Sequence, residues 1–135
     1  MKKLIPILVL CMLVVFCWSN PSSAAMKPPN LIGTWTGTAQ GANETEFLTM
    51  QMTLEITQQE GAAFIGTIAF DTDAAFAVSG VVVANGILKI TGSESVFEAL
   101  IVSGKRVKKI GGTGQKIATA DSPSATIAFI LSKTK

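Results

Sequence analysis

Side chains that could perform chemistry are few in this 135-residue chain, which contains no His, no Tyr and two Cys. Without His the chain has no imidazole base and no imidazole metal ligand, which removes most hydrolase triads. Asp71-Thr72-Asp73 spaces two carboxylates as a calcium loop would, but Ala74-Ala75-Phe76 follows where further oxygen ligands are needed. No spacing singles out a catalytic pair among the nine acidic residues. The sequence therefore predicts a protein that is not an enzyme and uses no metal or cofactor.

Basic residues are the one charged group that clusters in the sequence. Neighbouring positions of the cluster alternate between the two faces of a strand, so both faces would carry charge, as in an exposed ribbon. One interpretation is a patch for an anionic ligand, a lipid headgroup or an acidic partner. The other is a solubilising edge that opposes aggregation. Nucleic acid is disfavoured because no aromatic residues are interleaved. The cluster consists of Lys105, Arg106, Lys108, Lys109 and Lys116.

The first 25 residues have the three parts of a secretory signal peptide. Lys2 and Lys3 precede an apolar run of 15 residues, Leu4–Trp18, and small residues end at Ala25. The run is shorter than the ~20 residues that a membrane-spanning helix needs, which disfavours the alternative of a retained anchor. We expect cleavage after Ala25, no membrane span after it, and a secreted or periplasmic location.

Cleavage changes the composition of the chain that folds. Both cysteines leave with residues 1–25, and nine basic residues then balance nine acidic ones. Lipidation at Cys17 is disfavoured because Phe16 stands where a lipoprotein signal needs a small residue. An exported domain without Cys must rely on its core for stability.

Beyond a Pro-broken leader at residues 26–30, the chain alternates with period two. From Leu48 to Thr57 the apolar side chains fall on one face and Thr, Gln and Glu on the other. Asn85-Gly86 supplies the positive φ angles of a two-residue hairpin turn. Eight strands are predicted within a domain spanning residues 31–135. They are Leu31–Ala39, Phe47–Gln58, Ala63–Phe70, Phe76–Ala84, Ile87–Thr91, Val96–Ser103, Lys105–Ile110 and Ala125–Leu131.

Short turns make neighbouring strands antiparallel. Eight such strands either close into an up-and-down barrel or split into a β-sandwich, and the succession of hairpins favours the barrel. A transmembrane barrel is disfavoured because the outward face of Phe47–Gln58 is polar and the chain has no Tyr for an aromatic girdle.

Two short stretches resemble known barrel families. Gly33-Thr34-Trp35 resembles the Gly-x-Trp of the first strand of calycins, the lipocalin and avidin group. This resemblance implies that Trp35 plugs one end of the barrel under a basic side chain of the last strand, a role open to Lys133. Gly111-Gly112-Thr113-Gly114 resembles a stretch of dirigent and allene-oxide-cyclase-like barrels, although Ile117 and Ala120 replace the aromatic and glycine usual there. Read from the residues alone, Trp35 is a core residue and the glycines form a turn.

Two functions remain open for such a barrel. The first is binding of a small apolar or amphipathic ligand inside it. The second is a structural or protein-interaction barrel with a packed core and no small ligand. Ala63–Phe70, Phe76–Ala84 and Ala125–Leu131 are apolar on both faces, which predicts a homo-oligomer that covers their outer side. The predicted interior ligand site consists of Trp35, Met50, Met52, Leu54, Phe64 and Phe97.

Overall fold

A computed structural model describes residues 27–71, 73–103, 108–118, 120 and 123–134. The predicted signal peptide, residues 1–25, lies outside the described residues, as do Lys105 and Arg106 of the basic cluster.

Eight strands form one closed antiparallel barrel, in which each strand pairs with the next and β8 pairs with β1. The predicted up-and-down barrel is therefore confirmed over the sandwich. Consecutive hairpins give this order because each turn returns the chain beside the strand it has left. The strands are β1 (Gly33–Ala42), β2 (Phe47–Glu60), β3 (Ala63–Phe70), β4 (Phe76–Val82), β5 (Ile87–Gly92), β6 (Ser95–Ser103), β7 (Lys108–Lys116) and β8 (Ala125–Lys133).

The alternation seen in the sequence sorts side chains between the interior and the outer face. In β2, Met52, Leu54 and Ile56 are buried and face the interior, whereas Gln51 and Glu55 are exposed. Strands alternate in this way because successive Cβ atoms point to opposite sides. The predicted inward face of β2 is confirmed.

The seventh strand differs from the prediction. Gly111–Gly114 is not a turn but the middle of β7, and Gly112 and Gly114 face the interior. A Cβ on Gly114 would lie 2.2 Å from Cδ1 of Phe97, on the neighbouring strand. The glycine therefore leaves the space that the Phe97 ring fills, an arrangement in which an aromatic covers a glycine of the adjacent strand.

The β4–β5 connection is two residues longer than the predicted two-residue turn. It comprises residues 83–86, and the Val83 N–H donates to the Ile87 carbonyl at 2.8 Å. Asn85 and Gly86 both take positive φ, 65° and 74°, as expected of an Asn-Gly pair.

Strand direction defines two ends of the barrel. At the Trp35 end β1, β3, β5 and β7 begin and the even-numbered strands finish. At the Phe47 end, where Phe47 opens β2, the odd-numbered strands finish and the even-numbered ones begin.

Candidate functional site

The structure brings the six predicted interior residues into one cluster. Trp35, Met52, Leu54, Phe64 and Phe97 are at most 2% exposed, and Met50 is half-buried against the same cluster. A second aromatic ring lies over a glycine here, since a Cβ on Gly80 would come 2.4 Å from Cζ of Phe64. These side chains fill the interior by packing on one another, which is how a barrel of eight strands forms a core.

The Trp35 end is covered by side chains and by the segment before β1. The indole Nε1 of Trp35 donates to the Leu31 carbonyl at 2.9 Å, and Leu31 itself is fully buried. The ammonium of Lys133, from the last strand, lies 5.5 Å from the centroid of the Trp35 ring. This distance is within the range of a cation–π contact. The Lys133–Trp35 contact implied by the calycin resemblance is present, and the resemblance itself stays a prediction.

Gly33 of the Gly-x-Trp stretch has a local reason to be glycine. Its φ is 129°, a conformation that side chains other than glycine rarely adopt. A Cβ there would also lie 3.0 Å from Cε of Lys133. The side chain of Lys133 thus passes over Gly33 to reach Trp35, and the motif packs the first strand against the last.

Gln59 ties the leader to this end of the barrel. A register shift between Ile56 and Gln58 leaves Thr57 and Gln58 both exposed and Gln59 half-buried, which is how a β-bulge redirects a side chain. The Gln59 Oε1 accepts a hydrogen bond from the Leu31 N–H at 2.8 Å. The Gln59 Nε2 donates to the Pro29 carbonyl at 2.9 Å and to the Gly61 carbonyl at 3.1 Å. Sequence reasoning missed Gln59, whose only signal is a break in alternation at Gln58.

The Phe47 end is less covered. Leu48, Met50 and Phe76 are only half-buried there, and Phe47 is 93% exposed. Ser95, which begins β6 at this end, is fully buried, and its hydroxyl has no hydrogen-bond partner among the described residues. Three aromatic contacts join the half-buried rim to the core. The ring centroids are 6.2 Å apart for Phe70–Phe76, 6.4 Å for Phe70–Phe97 and 5.6 Å for the edge-on pair Phe97–Phe129.

The predicted basic patch is divided between the two ends. Lys108 and Lys109 begin β7 at the Trp35 end, whereas Lys116 finishes it at the Phe47 end. Nine strand residues separate positions by roughly 25 Å along the strand. The structure therefore does not bring the described lysines of the cluster together.

The two ends carry opposite charge instead, which sequence reasoning missed. The signal was present, because alternate connections of an up-and-down barrel share an end. Described charged residues at the Trp35 end are Lys108, Lys109, Lys133 and Glu60, together with Lys27 of the leader. Those at the Phe47 end are Glu44, Glu46, Asp71, Asp73, Glu94 and Lys116.

Large apolar side chains are exposed on two opposite sides of the barrel. One is the β3–β4 face, with Ile65 48%, Val81 40% and Val83 38% exposed. The other is the β6–β8 face, made of the outward side chains of β6, β7 and β8. The predicted oligomer contact grouped β3, β4 and β8, but β8 lies across the barrel from the other two. A single flat interface cannot include all three.

The β6–β8 face exposes four large apolar side chains, Val96 51%, Leu100 51%, Val102 58% and Ile130 63%. The charged Glu98 and Lys109 are exposed on the same face. Gly111 lies between Leu100 and Ile130 in the pairing register. Sequence reasoning predicted β6 but missed that its outward side exposes three large apolar side chains beside Glu98.

Grooves run along the outer surface beside these residues. One of about 750 Å³ passes Ile130, Gly111, Thr113 and Ala128. Another, of about 690 Å³, lies on the opposite side, beside Ile65 and Val81.

Within the described ranges, no three acidic, Cys or His side chains gather as a possible metal site. The same ranges contain no helix of the length and hydropathy that crossing a membrane requires.

Comparison of the sequence with protein-family models and with curated proteins found no match.

Proposed function

We propose that the protein is a non-enzymatic interaction barrel, whose packed interior is a scaffold and whose outer face binds protein, including further copies of the chain. One observation carries this proposal. Large side chains fill the interior, with the rings of Phe64 and Phe97 over glycines, while large side chains such as Ile130 are exposed on the outside. Burying exposed apolar area is the main driving force for association.

Two further features support this function. The charged side chains lie mainly at the two ends of the barrel, and residues 31–135 contain no His and no Cys. The outward faces of the strands also present Thr and Gln between the apolar positions. Polar residues surround the apolar centre of a protein interface in the same way.

Export through the predicted signal peptide belongs to the same proposal. Outside the cytoplasm, a domain without Cys gains stability from oligomers as well as from its core. Mass spectrometry of the protein recovered from the exported fraction tests this step. We expect a chain that begins at Met26, or at Ala25 for the alternative cleavage site, and an intact Met1 terminus would contradict it.

Binding of an interior ligand is the alternative, and a fluorescent fatty acid distinguishes the two functions. The probe is titrated into the purified protein while energy transfer from Trp35 is followed, with Trp35→Phe as the control that lacks the donor. A packed interior predicts no saturable transfer. Saturable, one-to-one transfer that Trp35→Phe abolishes would replace the interaction barrel with a ligand carrier.

Light scattering tests the self-association that the proposal includes. We expect a mass above that of one chain at micromolar concentration. A single monomer peak across that range would contradict self-association.

A further inference from the structure

Four lysines give the Trp35 end of the barrel an excess of positive charge. Lys108 and Lys109 begin β7, Lys133 finishes β8 and Lys27 belongs to the leader, and all four side chains are exposed. Lys109 pairs with Ser132, so Lys108 and Lys133 are the next positions on these two neighbouring strands. Like charges on neighbouring strands repel each other. An anion bound at this end would therefore be stabilising.

The described carboxylates do not neutralise these lysines. Glu60 is the described carboxylate of this end, and it finishes β2, two strands away from β8. Within the described ranges, none of the four lysines forms an ion pair with a carboxylate. The Phe47 end has the opposite charge, and nine basic residues balance nine acidic ones in residues 26–135. An anionic surface would therefore attract the barrel through one end and repel it through the other.

The leader leaves the barrel at the same end as the lysines. Gln59 binds the Pro29 carbonyl, and Lys27 precedes Pro29 by two residues. Eight residues, 19–26, separate Lys27 from the apolar run Leu4–Trp18, and a fully extended chain of this length reaches at most about 30 Å. While the run lies in a membrane during the proposed export, the Trp35 end is therefore the end held nearest to the lipid headgroups.

Large apolar side chains are exposed at this end too. Ile32 of the leader, Val83 of the β4–β5 connection and Val102 near the end of β6 are 43%, 38% and 58% exposed. Surfaces that bind anionic membranes combine basic residues with apolar side chains that enter the headgroup region. The Trp35 end carries both kinds of side chain.

We propose that the Trp35 end docks on a membrane surface rich in anionic lipid headgroups, with the strands directed away from the lipid. The inference rests on the export that the proposed function includes, and it leaves the outer faces of the barrel available to protein partners. The attraction between lysines and such a surface falls off within a Debye length, about 10 Å. The carboxylates of the Phe47 end lie beyond that range, because a strand of nine residues extends over roughly 25 Å.

The Phe47 end is the other candidate for a membrane contact. Phe47 is 93% exposed, and Phe side chains favour the boundary between headgroups and acyl chains. However, anionic headgroups would repel the carboxylates of Glu44 and Glu46, which lie in the same connection as Phe47. Charge therefore selects the Trp35 end.

Vesicle sedimentation tests the docking surface. The protein recovered from the exported fraction is mixed with vesicles of phosphatidylcholine alone, or of phosphatidylcholine and phosphatidylglycerol in equal parts. We expect binding to the anionic vesicles only, and release from them as the salt concentration rises. Substituting Lys108→Gln and Lys109→Gln together should weaken binding by roughly tenfold or more. Lys116→Gln, at the other end, is the matched control and should leave binding unchanged, and circular dichroism verifies that each variant is folded.

The outcomes separate this inference from the function beneath it. Equal binding to both kinds of vesicle, or binding to neither, overturns the docking surface, while light scattering and mass spectrometry measure self-association and export independently. A loss for Lys116→Gln equal to that of the double variant would assign the binding to total charge and also overturn the surface. A chain that is not exported overturns the export step and this inference with it.

Single cysteines test the orientation. Ala84 lies in the β4–β5 connection at the Trp35 end and Ala74 in the β3–β4 connection at the Phe47 end, and both are exposed. Ala84→Cys and Ala74→Cys are labelled with the same dye, since the chain without residues 1–25 has no other cysteine. Energy transfer to labelled headgroups in the anionic vesicles should be several times more efficient from position 84 than from position 74. Equal transfer would overturn the orientation, and stronger transfer from position 74 would show that the Phe47 end contacts the membrane instead.

Discussion

The two ends of the barrel are built from the same strands but are finished differently. At the Trp35 end the indole, Leu31 and Gln59 form a hydrogen-bonded cover, and the Lys133 ammonium lies over it. At the Phe47 end Leu48 and Phe76 remain half-buried. The closed barrel pairs neighbouring strands all the way round, so the difference between the ends arises from the segments outside the strands. The leader folds back over one end, whereas hairpin connections border the other in the part of the chain that the structure describes.

This difference predicts where stability is concentrated. Covering an end buries large apolar groups and pairs backbone groups that the strands leave free, whereas connections rich in acidic residues stay in water. Substitutions at the Trp35 end should therefore lower the free energy of unfolding more than matched substitutions at the Phe47 end.

The largest effect is expected for Trp35→Ala. Removing a fully buried indole and its hydrogen bond to Leu31 should lower the free energy of unfolding by about 3–5 kcal/mol. Phe76→Ala, its half-buried counterpart at the other end, should cost roughly half as much, because it buries less area. Urea unfolding followed by circular dichroism measures both. If Trp35→Ala leaves too little folded protein, Trp35→Phe provides a smaller loss on the same scale, and a loss for Phe76→Ala equal to or above that of Trp35→Ala would contradict the comparison.

The next effect concerns Gln59. Gln59→Ala removes three hydrogen bonds and leaves the buried Leu31 N–H without its acceptor, so we expect a loss of roughly 1–3 kcal/mol. Gln58→Ala changes the neighbouring exposed glutamine and should stay within about 0.5 kcal/mol of the parent. Equal losses for the two variants in urea unfolding would show that Gln59 does not hold the leader in place.

Much of this architecture is predictable from the sequence, and the exceptions share a cause. The alternation in β2 predicts its buried face because the signal lies within one strand. Gly112 and Gly114 look like a turn, since the Phe97 ring that makes them suitable for a strand comes from β6. Gln59 is hidden for the same reason, because its partners at Leu31 and Pro29 are about thirty residues away. The sequence does not predict the features that depend on contacts with a neighbouring strand or with the leader.

The candidate site follows the same division. The interior cluster is predictable because each residue shows its side in its own strand. The position of the basic cluster is not predictable in this way. Lys109 and Lys116 are close in sequence, but the extended strand β7 places them at opposite ends of the barrel. The opposed charges at the ends emerge only when the connections are sorted by the end they share.

Substitution of Ser95 should raise the stability of the protein, in contrast to the substitutions of Trp35 and Gln59. At the Phe47 end, Ser95→Ala removes a fully buried hydroxyl that has no partner among the described residues, so the variant should be more stable by about 1 kcal/mol. Ser79→Ala, at an exposed position of β4, is the matched control and should change stability by less than about 0.5 kcal/mol. Thermal unfolding compares them, and a less stable Ser95→Ala would mean that the hydroxyl is paired in solution.

The smallest effect is expected at Lys133. Lys133→Met keeps a long stem over Gly33 but removes the ammonium above Trp35, so the loss is that of the cation–π contact alone, about 0.5–1 kcal/mol for an exposed site. Lys109→Met removes a charge from the same end without a ring beneath it and should change stability less. Because the fluorescence of Trp35 senses the charge above it, Lys133→Met should also shift the emission spectrum, and Lys109→Met should not. Identical spectra for the two variants would place the ammonium away from the indole, and the cover of the Trp35 end would then consist of Leu31 and Gln59 alone.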